Sequence, residues 1–174
     1  MRNVLLSTVL LILLAATLVA CGGEAPTPTP VPVPTQIPVE NTPMQNSSGQ
    51  PGHITVQHIL IGFKDAVGFR GNVPPKAAAR TQEEAKTLAN DLLNKAKSGE
   101  DFDKLVVENT DDSPPGIYSM SDNGVQPDQG EYPRSGMVPA FGNVGFALAV
   151  GEIGMSDYDP ATSPYGYHII KRLK

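Results

Sequence analysis

A chain of 174 residues is long enough for one domain with an attached segment. A net charge of -5 with scattered Lys and Arg leaves no basic patch of the kind that nucleic-acid binding needs. The single cysteine excludes an internal disulfide and a cysteine zinc cluster, and 17 Gly with 17 Pro against 18% charged residues point to ordered and disordered segments in one chain.

Residues 1–20 read as an export signal. Arg2 supplies a positive start, and residues 4–20 are almost wholly apolar. The stretch ends in Leu18-Val19-Ala20-Cys21, and a plain secretory signal has no need of that cysteine. It resembles a bacterial lipobox. The resemblance implies cleavage before Cys21, diacylglycerol on its thiol and an acylated new N-terminus, a combination that anchors stably in a membrane. The competing reading is a signal anchor in which Cys21 is incidental, but the apolar run is short for a spanning helix. Residues 21–52 read as a linker, with Pro26, Pro28, Pro30, Pro32, Pro34 and Pro38 interleaved with Thr and Val. Such a composition favours polyproline II and cannot bury a core. Its last part, 41–52, is polar and reads as flexible.

The ordered domain is expected over 53–174. Residues 55–61 alternate as a strand, with Val56, His58 and Leu60 on one face and Ile59 and Ile61 on the other. Residues 62–80 read as a loop. Thr81 and Glu84 form a capping box for a helix whose stripe is Ala85, Leu88, Ala89, Leu92, Leu93 and Ala96, stopped at Gly99. A short helix with Phe102, Leu105 and Val106 follows, broken by the polar and Pro-rich run from Asn109. Residues 117–136 show no regular pattern. Met137 to Phe141 open a third helix, with Pro139 in its first turn, and Gly151 is expected to end it. A short strand over 152–156 and a closing strand over 165–170 complete an α+β order.

The closing strand, Tyr165-Gly166-Tyr167-His168-Ile169-Ile170, sets one histidine among aromatic and β-branched residues. Taken alone, His168 suits a buried core position better than a site. His58 on the first strand is a possible partner. A zinc triad of His53, His58 and His168 is a poor alternative, because no pair has metal-ligand spacing. Neither a metal nor a cofactor is expected.

Five segments together resemble the parvulin family of peptidyl-prolyl isomerases: Val56-Gln57-His58-Ile59-Leu60; Ser98-Gly99 with Asp101-Phe102-Asp103-Lys104-Leu105; Thr110-Asp111-Asp112-Ser113; Gly136-Met137-Val138-Pro139-Ala140-Phe141 through Gly151-Glu152-Ile153; and the closing strand. They fall in the family's order. The resemblance implies a four-stranded antiparallel sheet with about three to four helices around it. It implies that His58 and His168 lie side by side, that Asp112 joins them as a catalytic residue, and that Met137, Phe141 and Phe146 form an apolar proline pocket. Competing readings are a bare core pair for the histidines, a loop acid for Asp112 and plain core for Met137 and Phe141.

The chain departs from the family pattern at Pro114-Pro115-Gly116, where a Gly-rich passage normally supplies one pocket wall. Ile117 or Met120 is expected to fill that wall. Gly62 and Phe63 stand where phospho-directed members begin a basic cluster, so no phosphate requirement is expected. The resulting expectation is a monomeric, lipid-anchored isomerase acting on X-Pro bonds of unfolded or newly exported proteins. The alternative is a non-catalytic peptide-binding chaperone or interaction lipoprotein on the same scaffold. Rotation about X-Pro needs only that the site bind the twisted amide better than either planar form.

Overall fold

The computed structural model describes residues 49–174. The expected leader, Cys21 and most of the expected linker lie outside the described residues. The long first strand, β1 (His53–Ile61), is the centre of the sheet. It is followed by a short helix α1 (Pro75–Ala78), then α2 (Gln82–Lys97), α3 (Phe102–Asn109), β2 (Ile117–Ser121), β3 (Tyr132–Pro133), α4 (Pro139–Ala147), β4 (Ile153–Ser156) and β5 (Tyr167–Arg172). The five strands lie in the order β3-β2-β1-β5-β4. All neighbours are antiparallel except the two-residue β3, which runs parallel to β2. The sheet therefore has one strand more than expected, and its edge is mixed.

Side-chain alternation along β1 and β5 creates two cores, one on each face of the sheet. Ile59, Ile61, Tyr167 and Ile169 pack beneath α2 and α3, against Ala85, Ala89, Leu92, Phe102, Leu105 and Val106. Ile54, Val56 and Ile170 face the other way, with Met120, Phe141 and Phe146. His58 and His168 are on this second face. Each fully buried aliphatic side chain contributes about 1.5–3 kcal/mol relative to exposure, so both faces are held firmly.

The local signals act as expected around α2. Thr81 Oγ1 accepts from the Glu84 N–H, and the Glu84 carboxylate accepts from the Thr81 N–H at 2.7 Å. Asp101 caps α3 by accepting from the Lys104 N–H at 3.0 Å.

Several expectations need correction. The supposedly irregular 117–136 stretch contains β2 and β3. Part of the 62–80 loop is helical, as a 3-10 turn over Val67–Phe69 and as α1. Helix α4 ends at Ala147 rather than near Gly151. The closing strand begins at Tyr167 because Gly166 is held at φ 143°, where an added Cβ would stand 2.2 Å from the Ile61 carbonyl oxygen. The end of the presumed linker already belongs to the domain: Gly52 is buried, and its carbonyl accepts from the Asp122 N–H at 2.8 Å.

Candidate active site

The site is assembled from the end of β1, the turn after α3, β2 and β5. Antiparallel register sets His58 opposite Ile170 and His168 opposite Leu60, so the two rings sit diagonally on one face. Their Nδ1 atoms are 3.2 Å apart.

The turn after α3 is fastened to β1 residue by residue. Thr110 Oγ1 accepts from the Leu60 N–H at 3.1 Å and from the Asp112 N–H at 3.1 Å. The Asp111 N–H donates to the Leu60 carbonyl at 2.8 Å. The fully buried Asp111 carboxylate accepts from the Gly62 N–H at 2.7 Å and from Arg80 at 2.6 Å. Burial pushes the Asp111 pKa up, while the Gly62 N–H and the Arg80 charge pull it down. The short contact to Arg80 identifies the pair as an ion pair closing the 62–80 loop over the turn. Both aspartates border an apolar cavity, but the Asp111 carboxylate is buried in this ion pair whereas the Asp112 carboxylate stays partly exposed.

Asp112 is the hub of a linear chain of polar groups. Its Oδ2 accepts from Tyr118 OH at 2.8 Å and from His58 Nε2 at 3.0 Å, while Oδ1 accepts from the Ser113 N–H at 2.8 Å. The carboxylate assigns the tautomers. With Nε2–H turned to Asp112, the His58 tautomer that leaves Nδ1 as an acceptor receives the bond from His168 Nδ1–H. The lone pair of His168 then rests on Nε2, which is buried and has no hydrogen-bond partner among the described residues. Ser156 Oγ is also buried and unpartnered, and Ser156 stands directly opposite His168 in the β4–β5 register.

The electrostatics follow from that chain. The His58 hydrogen bond, aided by Tyr118 and Ser113, holds the Asp112 carboxyl well below the usual range against the opposing effect of burial. Burial and the Asp112 hydrogen bond push the Tyr118 phenol up to about 12. Burial and the neighbouring His58 push His168 down to about 3. At neutral pH the site therefore holds an ionised carboxylate, a neutral phenol and a neutral buried imidazole.

Above this chain opens a cavity of about 250 Å³, lined by apolar groups such as Leu60, Met137, Val138 and Phe141 with His58, His168 and Asp112 in its wall. Phe141 meets the His58 ring edge-on, with centroids 5.0 Å apart. A larger cleft of about 850 Å³ lies around Gln57, Lys97, Asp103 and Lys171. It carries no histidine and no converging network, so size alone is a poor guide here and the smaller, drier cavity is the better candidate.

Of the residues expected from sequence, His58, Asp112 and His168 are in hydrogen-bond contact, and Met137 and Phe141 line the cavity. Phe146 does not: it is 2% exposed in the core, with the Arg134 guanidinium 4.7 Å from its ring centre. Nor do Ile117 and Met120 supply the missing wall. Ile117 is 48% exposed and Met120 is fully buried in the core. The wall is Tyr118, which sequence reasoning missed; alternation within β2 would have paired it with Met120 on the inward face. His53 is not near the other two histidines. Its Nδ1 lies 2.8 Å from Glu131 and 3.9 Å from Asp128, so the His53–His58–His168 metal arrangement is not formed.

Fold and site together define a class, an α+β domain that presents an apolar slot above a carboxylate–histidine–histidine chain. A family profile described as the PPIC-type PPIASE domain matches residues 42–174, and the chain belongs to that family, the parvulin-type peptidyl-prolyl cis-trans isomerases. The chain is 36% identical over 117 residues to the foldase protein PrsA of Geobacillus kaustophilus, covering 67% of this chain and 38% of that protein. It is 39% identical over 93 residues to a parvulin-like PPIase of Rickettsia bellii, covering 49% of this chain and 28% of the relative. The chain thus spans well under half the length of these curated relatives. Its fold is similar to that of the peptidyl-prolyl isomerase ESS1 from Candida albicans, with a TM-score of 0.54, 23% identity, and coverage of 75% of this chain and 66% of the other.

Proposed function

We propose that this domain accelerates cis-trans rotation about X-Pro bonds. The observation that carries the reading is the Asp112–His58–His168 chain set into the wall of an apolar cavity. The uncatalysed barrier of about 18–20 kcal/mol comes from amide resonance, which places negative charge on the carbonyl oxygen. Met137, Val138 and Phe141 hold the proline ring and exclude water. The ionised Asp112 carboxylate faces the amide and disfavours the charge-separated planar form relative to the twisted one. His58 and Tyr118 hold that carboxylate in place, and neutral His168 holds the tautomer of His58. His58 and His168 are therefore positioning residues, and Asp112 acts on the reacting amide.

The physiological substrates we propose are unfolded or newly exported proteins, bound by a monomeric domain tethered to the membrane through lipidated Cys21. Leu18-Val19-Ala20-Cys21 supports the anchor, and the Pro-rich stretch after it supports a spacer. No helix of the described residues is long and apolar enough to cross a membrane. Exchange spectroscopy on a panel of X-Pro peptides tests the activity: catalysed cis-trans interconversion supports it, and binding shifts with uncatalysed exchange refute it. Mass spectrometry of the mature N-terminus tests acylation of Cys21.

A further inference from the structure

We propose that His53, Asp128 and Glu131 form a binding site for a divalent, zinc-like metal ion, which fastens the polar stretch between β2 and β3 to the start of β1. The site lies apart from the Asp112 cavity, and the proposal stands independently of the isomerase reading.

The path of the chain brings the three residues together. Antiparallel register sets His53 opposite Ser121, the last residue of β2, and the Asp122 N–H donates to the Gly52 carbonyl at 2.8 Å. The chain after β2 therefore leaves the sheet beside His53. It must also return there, because β3 pairs with Met120 and Ser121. The turn Asp128-Gln129-Gly130-Glu131 lies on that return. The Asp128 N–H donates to Glu131 Oε2 at 2.9 Å, and the Glu131 N–H donates to the Asp128 carbonyl at 3.1 Å. Gly130 supplies the left-handed φ of 85° within it. The backbone of one carboxylate residue thus orients the other, as outer hydrogen bonds do around bound metals.

The donor atoms have the spacing of one coordination sphere. His53 Nδ1 is 2.8 Å from Glu131 Oε2 and 3.9 Å from Asp128 Oδ2, and all three donor atoms lie within 4.8 Å of one another. Bonds of about 2.0–2.2 Å to a single ion set its ligands roughly 3–4 Å apart. One imidazole nitrogen with two carboxylate oxygens suits zinc, and three protein ligands leave a position for water. The ion takes the place of the proton that His53 Nδ1 shares with Glu131, and the neutral ring carries its proton on Nε2.

A fourth group points to a ligand rather than to a bare ion pair. Ser121 is fully buried, and its Oγ has no hydrogen-bond partner among the described residues. Directly opposed residues share a face of the sheet, as the 3.0 Å bond between Thr55 Oγ1 and Ser119 Oγ demonstrates for the next pair on that face. The Ser121 hydroxyl therefore stands beside His53, where a metal ion or its bound water gives it a partner. Burial raises the Glu131 pKa, but the Asp128 N–H, His53 and the charge of Lys174 outweigh it and hold the carboxyl below its usual range. Lys174 is thus a charge that the ion must outcompete.

The test uses the full chain in detergent micelles with the Cys21 thiol blocked, Zn²⁺ followed by calorimetry and by NMR of the imidazole nitrogens, and Co²⁺ followed by absorption. The expected result is saturable binding of one Zn²⁺ per chain, movement of the His53 Nδ1 resonance with His58 and His168 unmoved, and a Co²⁺ spectrum free of sulfur charge transfer. His53→Ala and Glu131→Gln are expected to weaken Zn²⁺ at least roughly tenfold. Asp128→Asn, at a side chain 78% exposed, leaves folding intact and is expected to show the same loss. Zn²⁺ affinity unchanged in the folded Asp128→Asn chain overturns the proposal. So does movement of the His58 or His168 resonances in place of His53, or the absence of stoichiometric binding by the wild type.

Discussion

Acidification provides a sensitive probe of the buried histidine. His168 is held down to about 3 by burial and by the His58 ring, whereas a free histidine titrates near 6.5. Its folded pKa is depressed, so the unfolded chain takes up the proton first, and the associated stability is present above about pH 6.5 and lost as pH falls toward about 3. Integration over this interval gives a loss of roughly 5 kcal/mol, of which roughly 2 kcal/mol falls between about pH 7 and pH 5. The upper part of the window isolates the imidazole from Asp112, whose depressed pKa matters only below the ordinary carboxylate value of about 4. Asp111, whose pKa is raised, contributes a slope of the opposite sign. The assay is therefore twofold: urea unfolding at both pH values, and an NMR titration of the imidazole nitrogens. We expect unfolding to become easier at pH 5 while His168 in the folded chain keeps a neutral ring. A folded-state midpoint for His168 near 6 would refute the tautomer chain built on it.

Three further outcomes follow from the same geometry. Tyr118→Phe keeps the ring but removes the 2.8 Å bond to Asp112; it should cost about 1 kcal/mol in chemical denaturation, less than a fully buried charged hydrogen bond, and raise the Asp112 pKa measured by NMR. Arg80→Ala leaves the buried Asp111 carboxylate unpaired and should destabilise the fold by about 3–5 kcal/mol in urea melts, whereas a change within about 0.5 kcal/mol would show that Asp111 is held by Gly62 alone. Phe141→Leu should raise KM for X-Pro peptides, while Phe146→Leu should lower Tm with KM unchanged, since only the first residue lines the cavity.

The legible parts of this fold were those with strong local signals. The capping box at Thr81, the apolar stripe of α2 and the alternation along β1 each follow from one dominant interaction, and the structure forms all three. Alternation put His58 on one face of β1 with Val56 and Leu60, but only the family resemblance put His168 beside it, because their contact depends on a register that no local pattern encodes. The opaque region was 114–136. There β2 is only five residues long, follows two prolines and gains its stability from pairing with β1 rather than from its own composition. Missing that strand meant missing Tyr118, because without alternation nothing separates it from Ile117 or Met120. Phe146 was misplaced for a geometric reason: it lies five residues beyond Phe141, which on a helix is about 140° around the axis. The two phenylalanines therefore cannot present the same face to the cavity.

The central claim is that an ionised Asp112, held by His58 and Tyr118, destabilises the planar X-Pro amide. Comparing kcat/KM of the wild type and Asp112→Ala on one X-Pro peptide, with folding of both chains verified by NMR, tests it most directly. The account predicts a loss of roughly tenfold or more. Full retention of kcat/KM in a folded Asp112→Ala chain would contradict it.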